Sequence, residues 1–230
     1  MDSREEMRWC PKKHFDIERF HELLKPSLER GQLTNDGPLQ AVARSLVKKI
    51  TSSTRSILMC SNGTAALHTL VSMWNIARGK QLVWATQAFT FPSAIQGPLQ
   101  HSLVIDQDEE HWGPSFSELE DIKDQIDGII VTNIQGLLCS ALKYEEWGRE
   151  NGKLVLFDNA ATPVGFVEDG RCIQDLGDGA FVSLHETKPI GRGEGGALFV
   201  DNHMYDAALS AMNFGFDVSQ VIRIPNRSSR

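Results

Sequence analysis

The chain has 230 residues, 41% of them hydrophobic and 23% charged, with a formal net charge of −7. That length supports a sizeable core in one large domain or two small ones, and the acidic balance argues against a nucleic-acid partner held by phosphate neutralisation. No apolar run is long enough for a membrane span, Met1 to Glu6 does not read as a signal peptide, and Cys10, Cys60, Cys139 and Cys172 lack C-x-x-C pairing, so a cytoplasmic protein with free thiols, no membrane partner and no zinc site is expected.

Residues 1–30 read as an N-terminal arm followed by a helix over Phe15 to Leu28, interrupted by Pro26. Gly31 to Pro38 is rich in turn formers, and Leu39, Val42, Leu46 and Ile50 then recur at helical spacing, with Pro38 suited to the first turn. From Arg55 the chain alternates short apolar runs with helical stretches. Ser56–Cys60, Gln81–Ala85, Ser102–Asp106, Gly128–Thr132 and Lys153–Asp158 read as strands. Ala65–Ala77, a weaker segment ending near Gly97-Pro98, Phe116–Ile126 and Tyr144–Asn151 read as helices. Two further strands, Ala180-Phe181-Val182 and Ala197 to Val200, flank a loop containing Lys188.

Continuously apolar strands separated by helices predict an α/β fold: three layers, α/β/α, around a mostly parallel sheet. In such sheets the ligand crevice lies beyond the carboxyl ends of the strands, where Ser61-Asn62-Gly63-Thr64, Thr90-Phe91, Asp158 and Lys188 all fall.

Each of these features has an ordinary alternative. The Asn62-Gly63-Thr64-Ala65 turn opens a helix, whose free amides suit a phosphate, or it is a plain N-cap. Phe91 is a plate for a planar ligand or a core residue. Asp158 is a metal ligand, a helix cap or a partner for a cationic heterocycle. Lys188 is a surface lysine or an amine nucleophile. His185-Glu186-Thr187-Lys188 starts like HExxH but lacks the second histidine. Gly191 to Gly196 fits G-x-G-x-x-G, yet a strand follows it instead of a helix, so neither motif holds. Together, a phosphate cradle, an aromatic plate, an acid and a lysine at strand ends are what a pyridoxal 5'-phosphate site requires.

The chain resembles the DegT/DnrJ/EryC1/StrS family of sugar aminotransferases, of pyridoxal phosphate fold-type I. The resemblance rests on five ordered motifs: Leu33 to Pro38, Ser61 to Leu67, Phe89 to Ser93, Asp158 to Ala161, and Ser183 to Lys188 with Glu194-Gly195-Gly196. It implies that Lys188 is the catalytic residue and carries the cofactor as a Schiff base. It further implies Asp158 on the pyridine nitrogen, Phe91 on the ring face, and Gly63, Thr64, Ala65 and Ser183 around the phosphate. Asn62, Thr162 and His185 are additional candidates. Where the family has Gln or His three residues after the acid, this sequence has Ala161.

The resemblance also implies a reaction and partners. A donor amino acid, by resemblance L-glutamate, gives its amino group to the cofactor, and Lys188 moves the donor's α-proton. The aminated cofactor then converts a nucleotide-linked keto-sugar. Dehydratases of the family carry histidine at the lysine position, so Lys188 points to transamination. A homodimer is expected. Residues 31–215 correspond to the large cofactor-binding domain, and 216–230 to a tail leading toward a C-terminal small domain expected to be absent. That gives the alternative of a truncated paralogue binding pyridoxal phosphate or a partner chain without turnover.

Overall fold

The computed structural model describes residue 10 and residues 12–215; most of the arm and the whole predicted tail, 216–230, lie outside the described residues. Helix α1 spans Ile17–Arg30. Asp16 caps its start by accepting from the Arg19 amide, and Gly31, in the left-handed region, closes its end. Pro26 does not interrupt it: the helix carries proline in its interior, one turn before the cap. Helix α2, Pro38–Thr51, has Pro38 at its first turn as expected.

The strands are β1 (Ser56–Cys60), β2 (Trp84–Gln87), β3 (Leu103–Ile105), β4 (Gly128–Thr132), β5 (Leu154–Asp158), β6 (Gly179–Ser183) and β7 (Gly196–Val200). They form one sheet in the order β1-β7-β6-β5-β4-β2-β3. Pairing is parallel from β3 through β6, and β7 runs antiparallel to both β6 and β1. Every strand except β7 therefore points the same way.

The helices α3 (Gly63–Arg78), α4 (Phe116–Ile122), α5 (Ala141–Asn151) and α6 (Tyr205–Met212) complete the layers. Alternate strand residues face opposite sides. Ile57, Ile129, Val131, Val155, Phe157, Val182 and Phe199 pack with Val47 of α2, Leu119 of α4, and Tyr144 and Trp147 of α5. Leu58, Ile130, Leu156, Phe181 and Leu198 pack with Leu67, Leu70 and Val71 of α3 and Ala208 of α6. Each large apolar side chain buried this way contributes roughly 1.5–3 kcal/mol. Among the described residues, no helix is long and apolar enough to cross a membrane.

Several element boundaries differ from the sequence expectation. The weak helix near Gly97 is two 3-10 turns, Pro92–Ile95 and Gly97–Leu99. Pro92 opens the first turn and Pro98 is second in the other, and Gly97 at φ +56° ends any helical run. The helix from Phe116 turns 3-10 after Ile122. Strand β2 starts at Trp84 because its register is set by Gly128 of β4, and it continues to Gln87 opposite Ile105. Helix α6 falls where the sequence reading assigns no element. Its small apolar face at Ala208 is buried only because α3 lies beside it.

Arg55 fastens the sheet's far edge. Its side chain is 6% exposed, donates to the Gln174, Leu176 and Gly177 carbonyls, and pairs with Asp201 at 2.8 Å. It thereby ties the approach to β1 to the segment before β6 and the end of β7. Arg55→Met leaves those carbonyls without a donor, so an unfolding free energy lower by about 3 kcal/mol is expected in a urea titration.

Candidate active site

Sheet direction assembles the site. Cys60, Ser183 and Gly196 lie side by side, because the first residue of the reversed strand β7 pairs with the last residues of β1 and β6. Asp158 pairs with Thr132 on one side and Phe181 on the other. The carboxyl ends of six strands thus share one edge, and the β6–β7 loop with Lys188 stands above it.

A cavity of about 370 Å³ opens there, lined by Asn62, Gly63, Thr64, Phe91, Asp158, Ser183, His185 and Lys188. Of the cofactor-site residues and additional candidates that the resemblance implies, Ala65 and Thr162 are not on its wall. The Ala65 amide is taken by the Asn62 side chain at 2.8 Å, which is the N-cap of α3. The Thr162 hydroxyl donates to the Asn133 carbonyl and accepts from the Gly136 amide, so it braces the loop after β4 instead of facing the cavity. Asn62 therefore caps the helix and also lines the cavity.

With Ala65 and Ala66 both bonded back to Asn62, the Gly63 and Thr64 amides have no hydrogen-bond partner among the described residues. Two free amides at the positive end of a 16-residue helix form an anion cradle, with the Ser183 and Thr64 hydroxyls beside it. The glycines fit this geometry. A Cβ on Gly196 would strike the carbonyl of Asn62, and a Cβ on Gly63 would come within 2.9 Å of Ser183 Cβ. A Cβ on Gly191 would lie 2.6 Å from the Leu184 carbonyl oxygen. The glycines after Lys188 thus let the loop fold back on itself and let the Asn62-Gly63 turn seat against β7.

Phe91 is 66% exposed and has an extended backbone, as the residue before Pro92 must. Lys188 is half-buried and lines the cavity. His185 Nδ1 accepts from the Thr187 amide at 3.2 Å and meets the Thr187 hydroxyl at 2.8 Å, which leaves Nε2 facing Glu194 at 3.4 Å. Cys60 lies at the same edge, but burial pushes its thiol up to about 11, so it is no nucleophile at neutral pH.

Sequence reasoning missed the support beneath Asp158. Gln87 is fully buried, and its amide donates to the Thr132 carbonyl at 3.0 Å and to the Trp112 carbonyl at 2.7 Å. Gln87 Oε1 accepts from the Thr132 amide, and the Thr132 and Thr90 hydroxyls are 2.7 Å apart. Polar residues ending two apolar strands were the available signal. A smaller cavity of about 200 Å³ adjoins Asp158 and Lys188, walled by Phe89, Gln135 and Ala161. Ala161 faces this space.

Asp158 is 2% exposed, and burial pushes its carboxyl up to about 6. The Ala160 amide, the Lys188 charge and the Thr132 hydroxyl pull it down, and burial outweighs them. The folded-state value lies above the unfolded one, so folding takes up a proton between about pH 4 and 6, and stability falls as pH rises through that window. In cofactor-free protein, Asp158→Asn should gain up to roughly 3 kcal/mol over wild type at pH 8 and nothing at pH 4, read by urea unfolding. In the same assay Gly196→Ala should lose about 2 kcal/mol or more at either pH, because the Asn62 carbonyl cannot give way without moving α3.

Comparison with known proteins agrees with this geometry. A model of the DegT/DnrJ/EryC1/StrS aminotransferase family matches residues 15–224. GDP-perosamine synthase of Escherichia coli O157:H7 is 27% identical over 161 residues, covering 69% of this chain and 44% of its own. DesI, solved in the presence of its TDP-sugar product, superposes with a TM-score of 0.76 at 23% identity, covering 90% of this chain and 52% of its own. NtdA of Bacillus subtilis, solved with bound cofactor PMP, gives 0.71 at 17% identity, covering 90% and 48%. The two structural likenesses establish the fold, and the chain spans about half the length of the curated relatives it matches. Four of the five motifs gather at one sheet edge, while Leu33 to Pro38 lies in the α1–α2 connection; with a family match over 15–224, the chain belongs to the DegT/DnrJ/EryC1/StrS aminotransferase family.

Proposed function

We propose that this chain is the cofactor-binding part, residues 31–215, of an aminotransferase that uses pyridoxal 5'-phosphate to move an amino group onto a nucleotide-linked keto-sugar. One observation carries the reading: Asp158, buried and costly to ionise, shares a cavity with Lys188, Phe91 and the two free amides of α3. An aspartate of this kind suits a cationic ring nitrogen, which would return the charge partner that burial removed. The donor set therefore fits the group: amides and hydroxyls for its phosphate, Phe91 for its ring face, Asp158 for its nitrogen and Lys188 for its aldehyde.

When bound, pyridoxal phosphate supplies an electron sink that the protein's own side chains lack. The protein's part is placement and proton transfer. The Gly63 and Thr64 amides and the Ser183 hydroxyl hold the dianion against the helix terminus. The Asp158 carboxylate keeps the ring nitrogen protonated, and the Thr132 hydroxyl steadies that carboxylate. Lys188 Nζ, on the cavity wall, takes the proton from the donor's α-carbon as a general base and delivers it again as an acid. His185, bridged to Thr187 and Glu194, orders that part of the cavity wall.

Similarity to GDP-perosamine synthase, and to DesI seen with a TDP-sugar, supports a nucleotide-linked sugar as acceptor. L-glutamate is proposed as donor, a homodimer as the assembly and the cytoplasm as the location.

The test is spectroscopic. Purified protein mixed with pyridoxal phosphate should develop a near-visible absorbance band that L-glutamate removes. Lys188→Ala should abolish the band and slow donor conversion by about a thousandfold or more. A wild-type spectrum unchanged by cofactor, or a Lys188→Ala variant that keeps both band and activity, sinks the proposal.

A further inference from the structure

The loop between β6 and β7 contains no regular element and is held by its own turns. The Lys188 amide donates to the His185 carbonyl at 2.8 Å, and the Gly191 amide to the Lys188 carbonyl at 3.1 Å. A second hold comes from the other end of the chain. Lys13 Nζ donates to the Glu186 carbonyl at 2.6 Å, the Lys188 carbonyl at 2.7 Å and the Gly191 carbonyl at 2.5 Å.

An ammonium has three N–H donors, and each meets a carbonyl here. Bonds with a charged donor are about twice as strong as neutral ones. The folded-back loop turns these three carbonyl oxygens toward one point, where their partial negative charges repel unless a cation sits between them. Nearby contacts come from the same segment: Cys10 Sγ donates to the Glu186 carbonyl at 3.3 Å, and the Arg192 guanidinium lies 5.5 Å from the centre of the Phe15 ring. Glu186 in turn holds Arg192 and the Gly193 amide. Cys10, Lys13 and Phe15 therefore act as a strap across the loop, with Lys13 as its fastening.

We propose that Lys13 is a positioning residue for Lys188. It acts through the main chain on both sides of the reactive amine and touches neither substrate nor cofactor. The inference rests on the aminotransferase reading above, in which Lys188 Nζ must reach both the cofactor and the donor's α-carbon. Displacing a reacting group by 1 Å costs on the order of a hundredfold in rate, so a loop fixed on one side only would bind cofactor yet react slowly.

Lys13→Met, which keeps the stem and removes the donors, and Lys13→Gln, which keeps a neutral donor, test this in the full chain. Lys13 lies outside both cores, so the sheet should persist. Without cofactor, hydrogen exchange of amides 184–195 should rise about 10-fold or more in both variants, while β5 is unchanged. With pyridoxal phosphate, single-turnover conversion of the donor should slow by about 10- to 100-fold in Lys13→Met, with cofactor affinity within about twofold of wild type. Unchanged exchange in the loop overturns the proposal. So does a loss of cofactor affinity as large as the loss of rate, which marks a merely structural contact. If wild type shows no absorbance band with cofactor, the aminotransferase reading fails and this inference falls with it. A normal wild-type band with unaltered variants removes Lys13 alone.

Discussion

The site depends on a close backbone approach that a single methyl group would prevent. Gly196, the first residue of β7, lies against the Asn62 carbonyl and the Gly63 amide, with no room for a Cβ. Because β7 runs opposite to its neighbours, its beginning lies where β1 and β6 end. The turn that frees the Gly63 and Thr64 amides is thereby pressed against the strand that follows the Lys188 loop. Anion cradle and lysine become neighbours through this contact, although Thr64 and Lys188 are far apart in the chain.

The remaining residues hold charges where water would not leave them. Asp158 is buried at a strand end, and that burial raises its carboxyl pKa. The Gln87, Thr132 and Thr90 network fixes the ends of β2 and β4 next to it, spreading the polar cost over satisfied hydrogen bonds. On the opposite edge Arg55 satisfies three carbonyls, so the sheet is fastened away from the cavity and loops on the reactive side are free to carry function.

Much of this was legible in the residues. The continuous apolar strands announced a sheet covered on both faces, and helices α2, α3 and α5 fall on the stretches read as helical, α5 starting three residues earlier at Ala141. The strand-end positions of Asn62, Phe91, Asp158 and Lys188 pointed to a shared edge, since parallel strands gather such residues there. Polar residues at two strand ends hinted at props under Asp158, but their partnership was not legible, because Gln87 and Thr132 meet only when β2 and β4 pair. Nor was the role of Thr162: next to the site motif in sequence, it turns away to brace the Asn133–Gly136 loop. Helix α6 was missed because its short run of small residues acquires a buried face only against α3.

The sequence by itself determined the chemistry on offer: an amine, an acid, an aromatic ring and a glycine-opened helix, each following a strand. These are local properties, set by residue type and by the period of apolar residues. Tertiary structure alone decided the reversed direction of β7, the seating of the Asn62-Gly63 turn on Gly196, and the contact of Lys13 with a loop more than 170 residues away. Direction and register come from pairing between strands distant in the chain, and no pattern within one segment encodes them.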